Sequence, residues 1–342
     1  MRVAVVGAGV IGRTHARTIA RTSGFSLAGI ADPFPSGAEL AQEFGTTHYR
    51  DHRELLSAER PDAVIVATPN ALHVPIALAS VAAGIPTLVE KPIATTSHEA
   101  NSLVEAADAA SVPVLVGHHR RYHPVVQRAK DLIAGGRLGR IVAVSATAFM
   151  SKPEEYFDVA WRKATGSGGP FLINLIHEVD LLRHLVGEIV AVSAMATSAT
   201  RGFDVEDTGA ITVAFGSGAL ATIAISDTVA GPWSWDLTAG DSPRFPVHAV
   251  NSHLIGGETA SLTLPALEVW EHDGVRSWTT PLRSQHTIVA AGDPYVAQLR
   301  HLGEVASGRA QPMVSAREGL RDLQVVEAII RAAATGVTIN LP

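Results

Sequence analysis

The sequence predicts an α/β fold that opens with a doubly wound parallel sheet of the Rossmann type. Three observations predict it. Short apolar runs alternate with helical segments through the first third of the chain. The pattern Gly7-x-Gly9-x-x-Gly12 sits between the first run and the first helix, and an acid, Asp32, closes the second run. The length of 342 residues exceeds what one simple core needs and suggests about two domains. The expected division is 1–121 and 122–342.

The elements follow in order. VAVV (3–6), next to glycine, reads as a buried parallel strand. Residues 9–24 read as a helix, FSLAGIAD (25–32) as a strand, and SGAELAQEFG (36–45) as a helix stopped by Gly45. PDAVIVATPN (61–70) is a strand running into a polar turn, and 71–84 is helical. IPTLVEKP (85–92) is a strand ending on Glu90 and Lys91, 97–111 is a helix with Ser97 as its expected cap, and VPVLVGHH (112–119) is a further strand. These lengths suit right-handed crossovers in an open parallel sheet, where ligands bind beyond the carboxyl ends of the strands.

The glycines have distinct expected jobs. Gly7 permits the tight turn, Gly9 lets backbone approach a pyrophosphate, and Gly12 lets helix and strand pack closely. The helix start then offers donors to phosphate. Asp32, at the end of the second strand, can accept hydrogen bonds from a free ribose diol and would repel a 2′-phosphate. Pro33 and Phe34 follow it, with no cation to receive such a phosphate. NAD is therefore expected over NADP.

Composition removes other classes. Hydrophobic residues make up 46% and charged residues 18%, the balance of a soluble globular chain. A net charge of −6 argues against a broad nucleic-acid surface, and Arg120 with Arg121 is too little for a basic stripe. Without cysteine there is no disulfide, thiolate nucleophile or cysteine-based metal site. The opening MRVAVVGAGVIG reads as strand and turn rather than a signal peptide, and no run approaches the ~18 apolar residues of a membrane span. A cytoplasmic protein with a small-molecule substrate, and without membrane or nucleic-acid partners, is expected.

Two stretches carry chemistry. Glu90 and Lys91 stand at the carboxyl end of a strand, the ligand-facing edge of such a sheet, where an ammonium can steady a developing alkoxide. A solvated Glu–Lys pair is the ordinary alternative, and position argues against it. The Lys91–Pro92 bond, at a site-forming turn, is expected to be cis. PFLINLIHEVDLL (170–182) reads as a buried helix with Asn174, His177 and Asp180 at three-residue steps, near one face. A lone histidine in an apolar helix is ordinarily a core group. Beside a dinucleotide sheet and Lys91 it reads as a proton carrier, with Asp180 as an orienting partner.

Metal and hydrolase motifs fail. HEVDL begins like H-E-x-x-H, but Leu181 occupies the second histidine position. His119 and His123 are four apart with nothing to complete a site, so no metal is expected, and there is no G-x-S-x-G elbow. In the second domain, 136–150 becomes a β-like run and TGAITVAFGSGALATIAIS (208–226) reads as a hairpin. Its small or apolar outward residues (Ala, Thr, Ile) suggest a sheet face that meets another subunit. Trp233 and Trp235 would share a face if extended, as a platform in a substrate pocket or as core filling.

Together these motifs resemble the Gfo/Idh/MocA family of nicotinamide-dependent oxidoreductases. The resemblance rests on 7–12, VATPNALHVPIALASVAAG (66–84), Glu90-Lys91-Pro92, GHHRRYHP (117–124), GRLGRIVAV (136–144), 168–187 and DPYVAQLRHL (293–302), and spans nearly the whole chain. It implies a C-terminal α/β domain on a large open, mainly antiparallel sheet, which joins copies into homodimers or homotetramers. It implies hydride transfer between nicotinamide and a secondary alcohol or ketone of a sugar, inositol, polyol or cyclic diol. Lys91 and His177 become the catalytic residues. Gly7, Gly9, Val10, Ile11, Gly12, Asp32, Thr68, Pro69, Asn70, His73, Glu90 and Arg162 become cofactor contacts, with Glu90 on the nicotinamide ribose. Arg121, Trp161, Asn174 and Trp235 become candidate substrate contacts. In one departure, Ile173 stands where many sugar-oxidising members carry an acid one helical turn before the histidine. Two alternatives remain open at this level: an NAD-dependent glycoside-cleaving enzyme of the same fold, and a non-catalytic NAD-binding regulatory module.

Overall fold

Along β1 (Arg2–Val6) every residue from Val3 onward is buried, which requires cover on both faces of the sheet. The computed structural model describes residues 1–342 and shows how that cover is supplied. After β1 come α1 (Val10–Arg21), β2 (Ser26–Ala31), α2 (Pro35–Glu43), β3 (His48–Tyr49), α3 (His52–Glu59), β4 (Ala63–Val66), α4 (His73–Ala82), β5 (Thr87–Val89), α5 (Ser97–Ala110) and β6 (Val114–Val116). The six strands form one parallel sheet in the order β3-β2-β1-β4-β5-β6. The order reverses between β1 and β4, the switch point where such sheets bind ligands.

β3 and α3 are additions to the sequence reading. A strand of two residues and a helix whose buried apolar positions are Leu55 and Leu56 give too little period to detect. The cap of α5 lies one residue earlier than expected: Thr96 Oγ1 accepts from Glu99 N–H at 3.2 Å.

The second half contains α6 (Pro124–Ala134), β7 (Ile141–Phe149), α7 (Ile176–Val186), β8 (Ile189–Thr197), β9 (Thr208–Phe215), β10 (Leu220–Ser226), α8 (Trp235–Thr238), β11 (His253–Gly257), β12 (Ala260–Leu264), β13 (Glu268–His272) and β14 (Leu282–His286). The chain ends with α9 (Pro294–Ala306), α10 (Ala316–Thr335) and β15 (Ile339–Asn340). Nine strands form a second sheet, ordered β14-β13-β12-β11-β7-β10-β9-β8-β15. All neighbours are antiparallel except β7 and β10. The expected hairpin is β9–β10, with Leu220 opposite Ala214. Ile211, Ile223 and Ile225 point inward and are buried. The outward face is thus alanine, threonine and Leu220, without the isoleucines expected there.

The chain forms two compact units, residues 1–119 with 293–324 and residues 120–292 with 325–342. The first unit therefore takes in a tail segment that the division at 121/122 assigns to the second. The core gives the reason. On one face of the six-stranded sheet Val3, Val5, Ile65, Leu88 and Leu115 pack with Ile19 of α1 and with Leu299, Leu302 and Val305 of α9. On the other, Ala4, Val6, Val64 and Val66 pack with Leu55, Leu56 and Ile76. Helix α9 is part of the cover that β1 demands. No helix is long and apolar enough to cross a membrane.

Candidate active site

The glycine loop of the first unit has the expected stereochemistry. Gly7 takes φ +102°, and a Cβ there would lie 2.5 Å from the Ala67 carbonyl oxygen, a backbone and a space that only glycine tolerates. A Cβ on Gly12 would collide with the Gly7 carbonyl, whereas one on Gly9 would meet nothing within 4 Å. Gly9 precedes α1, whose first N–H groups no side chain caps. An open glycine over uncapped helix donors fits a pyrophosphate.

Asp32 is buried. Its Oδ2 accepts from Ala8 N–H at 2.7 Å and its Oδ1 from Phe34 N–H at 2.9 Å. Each oxygen keeps a further lone pair for a ribose diol. Val10 and Ile11 line the exposed side of the loop, and Thr68 Oγ1 beyond β4 is buried without a partner. Pro69 is exposed and Asn70 half-buried on the following turn.

Two expected cofactor contacts are placed otherwise. His73 is buried, with Nδ1 2.8 Å from the Pro92 carbonyl oxygen and Nε2 2.9 Å from that of Thr68. The ring nitrogens face two backbone carbonyls, and the neutral ring donates to one of them, so the side chain braces these turns rather than reaching a ligand. Burial lowers its pKa, against the pull of the two carbonyls and Glu90.

Glu90 is the second case. It is 7% exposed, with both carboxylate oxygens engaged by the protein. His15 Nε2 lies 2.7 Å from its Oε1, and its Oε2 accepts from Lys91 N–H at 3.2 Å. A Cβ on Gly117 would come within 2.8 Å of the carboxylate. Burial pushes the Glu90 pKa up, but the His15 hydrogen bond and the charges of His15, Lys91 and His119 bring it below its ordinary value. Tyr295 of α9 meets His15 edge-on, with centroids 5.6 Å apart, and stacks on His119 at 4.7 Å. The Lys91–Pro92 bond is cis, as expected.

In the second unit, the segment expected as one regular helix is two. Phe171–Leu175 forms a π-helical turn, and α7 starts at Ile176. The turn is pinned from outside. Phe171 is fully buried against Gly209, where any Cβ would strike its ring. Glu206 Oε1 accepts from Phe171 N–H at 2.8 Å, and Asn174 Oδ1 accepts from Lys152 Nζ at 2.7 Å. The wider turn alters the angles of Ile173 and Asn174 relative to His177, so the ideal-helix reading of that departure does not carry over.

His177 is 6% exposed on the first turn of α7. Asp180, expected to orient it, accepts from Arg121 Nε at 2.8 Å and Nη2 at 2.7 Å on the same oxygen. Arg121 is thus a buried clamp on α7 rather than a substrate contact. Glu178 accepts from Arg120 Nη1 at 2.7 Å and meets His253 Nε2 at 2.6 Å. Burial alone would raise its pKa, but Arg120 and His253 hold it at about 2.

Trp235 is another correction. It is 0% exposed, opens α8, donates from Nε1 to Asp241 at 2.6 Å, and has Arg120 over its ring at 5.8 Å. It is core. Trp233 is exposed, because the start of α8 breaks the extension that would align the pair. Trp161 and Arg162 lie on a 3₁₀ turn, half-buried. Arg162 donates to the Tyr156 carbonyl at 2.7 Å and lies 4.2 Å from the Tyr156 ring centroid, meeting no carboxylate.

Comparison with known proteins places this arrangement. Residues 1–118 match an oxidoreductase family with an NAD-binding Rossmann fold, and residues 126–250 match the Gfo/Idh/MocA C-terminal domain. The chain belongs to the Gfo/Idh/MocA family. It is 32% identical to a rhizopine catabolism protein MocA of Rhizobium meliloti, over 58% of this chain and 61% of that protein. It is 33% identical to an inositol 2-dehydrogenase of Saccharopolyspora erythraea, over 66% of each. The match thus spans under two thirds of the length of these curated relatives. Among solved structures, the WlbA dehydrogenase of Bordetella pertussis, in complex with NADH and UDP-GlcNAcA, is similar with a TM-score of 0.80 and 28% identity over 100% of this chain and 98% of that one. The cofactor of this Gfo/Idh/MocA chain is NAD.

Two outcomes follow. If Asp32 receives the adenosine ribose, NADH should bind more tightly than NADPH in a fluorescence titration; tighter NADPH would contradict that role. The folded pKa of Glu178, about 2, lies below the unfolded value of ~4.3. Its stabilisation is therefore complete above that unfolded value and is lost as pH falls towards the folded one. Urea midpoints across this window should fall less for Glu178→Gln than for wild type, and equal falls would contradict the linkage.

Proposed function

We propose that this chain is an NAD-dependent dehydrogenase acting on a secondary alcohol of a sugar, inositol, other polyol or cyclic diol, or catalysing the reverse reduction. The observation that carries the reading is Lys91 at the carboxyl end of β5 in the NAD-binding sheet, its amide held by a carboxylate that His15 keeps buried. The inositol 2-dehydrogenase relative supports the substrate class.

In this reading Gly7, Gly9, Val10, Ile11 and Gly12 hold the pyrophosphate, Asp32 the adenosine ribose, and Thr68, Pro69 and Asn70 the rim of the cofactor. Bound NAD supplies a hydride acceptor, or in reverse NADH a donor. The Lys91 ammonium steadies negative charge on the substrate oxygen, and His177 takes the hydroxyl proton. Proton transfer by a placed histidine contributes roughly 10²- to 10⁴-fold. Arg162 contacts the cofactor, and Trp161 and Asn174 provide aromatic and polar substrate contacts.

Lys91→Ala and His177→Ala should each lower kcat/KM about 100-fold or more while NAD binding persists. Wild-type turnover in both would sink the assignment. Net NADH formation separates this reading from glycoside cleavage with recycled NAD.

We also propose that the outer face of the nine-stranded sheet joins copies of the chain into a homodimer or homotetramer. Leu220, Leu254, Met195 and Leu282 are exposed on its strands, and an open trough of about 890 Å³ runs between Ala143, Thr212 and Thr263. Such an apolar face on a soluble chain marks an interaction surface. Light scattering should give a dimer or larger for wild type and a smaller species for Leu220→Glu/Leu254→Glu. A monomeric wild type would refute the interface.

A further inference from the structure

We propose that Arg201 is a positioning residue: from the turn between β8 and β9 it sets the 152–162 segment so that Arg162 meets the cofactor, and NADH affinity depends on it. The inference rests on the reading that Arg162 contacts the cofactor.

Arg201 is rooted at its backbone. Asp207 Oδ2 accepts from its N–H and from that of Thr200, both at 2.9 Å. Asp207 is buried, and its own N–H donates to the Thr197 carbonyl at 2.9 Å. The residue is thus tied to the end of β8 and the start of β9. Its guanidinium is directed at one neighbourhood. Nε donates to Asp227 Oδ1 at 2.9 Å, and Nη2 donates to the Asp227 carbonyl at 2.7 Å and the Lys152 carbonyl at 2.9 Å. Lys152 N–H donates to that same Asp227 carbonyl at 2.9 Å. One side chain therefore holds the chain where it leaves β7 and where it leaves β10. That side chain is 7% exposed, so water competes little with these bonds. The pair with Glu154, whose side chain is 85% exposed, adds little.

Past Lys152 the chain turns through Pro153 into a 3₁₀ turn, Glu154–Asp158. The Arg201 guanidinium lies 4.3 Å from the Phe157 ring centroid. Phe157 is buried and packs on Phe203 of the β8–β9 turn, with centroids 5.0 Å apart. Tyr156 meets Phe157 edge-on at 5.1 Å. The Tyr156 carbonyl accepts from Arg162 Nη1 at 2.7 Å, and its ring lies 4.2 Å from Arg162 Cζ. Arg162 is therefore seated on Tyr156, Tyr156 on Phe157, and Phe157 on Arg201. Behind Arg162 the chain closes on Gly168, where a Cβ would lie 2.3 Å from the Arg162 carbonyl oxygen. Arg162 Nε is buried without a protein partner, so this seating leaves a donor for an acceptor on a ligand. A lysine at 201 would keep the charge beside Asp227 but lack the planar fork. Arg201→Lys thus separates neutralising Asp227 from holding the segment.

The test is a double-mutant cycle read by NADH fluorescence titration of the full chain, in variants with unaltered circular dichroism. Arg162→Met and Arg201→Lys should each weaken NADH about tenfold, the scale of a hydrogen bond to a charged group. The double variant should bind no more weakly than Arg162→Met alone, because residues in one line of support are not additive. A residue that only stabilised the fold would not show this coupling. Wild-type affinity in Arg201→Lys beside a weakened Arg162→Met overturns the proposal, as does a double variant whose two losses multiply. Should Arg201→Lys fail to fold, Phe157→Leu takes its place in the same cycle, with the same expected loss and the same overturning results. Wild-type affinity in Arg162→Met refutes the cofactor role of Arg162, and this proposal falls with it.

Discussion

The hydrogen bond between His15 and Glu90, 2.7 Å long and closed off from water, is the interaction on which the nucleotide-binding unit depends. Removing a carboxylate from water costs several kcal/mol even after relaxation, so every group around it must compensate. His15 must sit on α1 and face β5. Lys91 must donate its amide. Residue 117 must be glycine, because the carboxylate fills the space of a side chain. Tyr295 closes the cluster from α9, so one helix completes both the apolar cover of the sheet and its polar end. The ammonium of Lys91 is then carried on a backbone that cannot drift.

The second unit fixes His177 by a related device. Its neighbours on α7, Glu178 and Asp180, are buried acids paired with Arg120, His253 and Arg121. Breaking one such pair leaves a buried charge unmatched, at a typical cost of about 3–5 kcal/mol. The helix is therefore held by charges that admit little rotation. Upstream, Lys152, Glu206 and Gly209 shape the π-helical turn. Both proposed catalytic groups are side chains whose sequence neighbours are locked in place.

What could be read in advance was local. The glycine loop, Asp32 and the strand-end Glu90–Lys91 declare themselves because short-range periodicity places them at the ligand edge of a parallel sheet. The hairpin at 208–226 declares itself by alternation and its turn. What could not be read was long-range. His15 is an unremarked helix residue until Glu90, distant in sequence, is brought beneath it. Arg121 and Trp235 have the chemistry of ligand contacts, and only the packing of α7 and α8 shows that they serve the core. The tail helix α9 has an apolar face that would suit either unit. The π-turn depends on Gly209 and Glu206, which no helical periodicity over 170–182 encodes.

In the proposed reading, hydride moves between NAD and a free alcohol of the substrate. The most direct measurement is an NAD-coupled survey of polyols, aldoses, inositols and cyclic diols, following reduced-nicotinamide absorbance alongside chromatography of the products. A preferred alcohol should yield its ketone and NADH in equal amounts. Hydrolysis products with NAD unchanged, or tight NAD binding with no conversion of any alcohol, would contradict it.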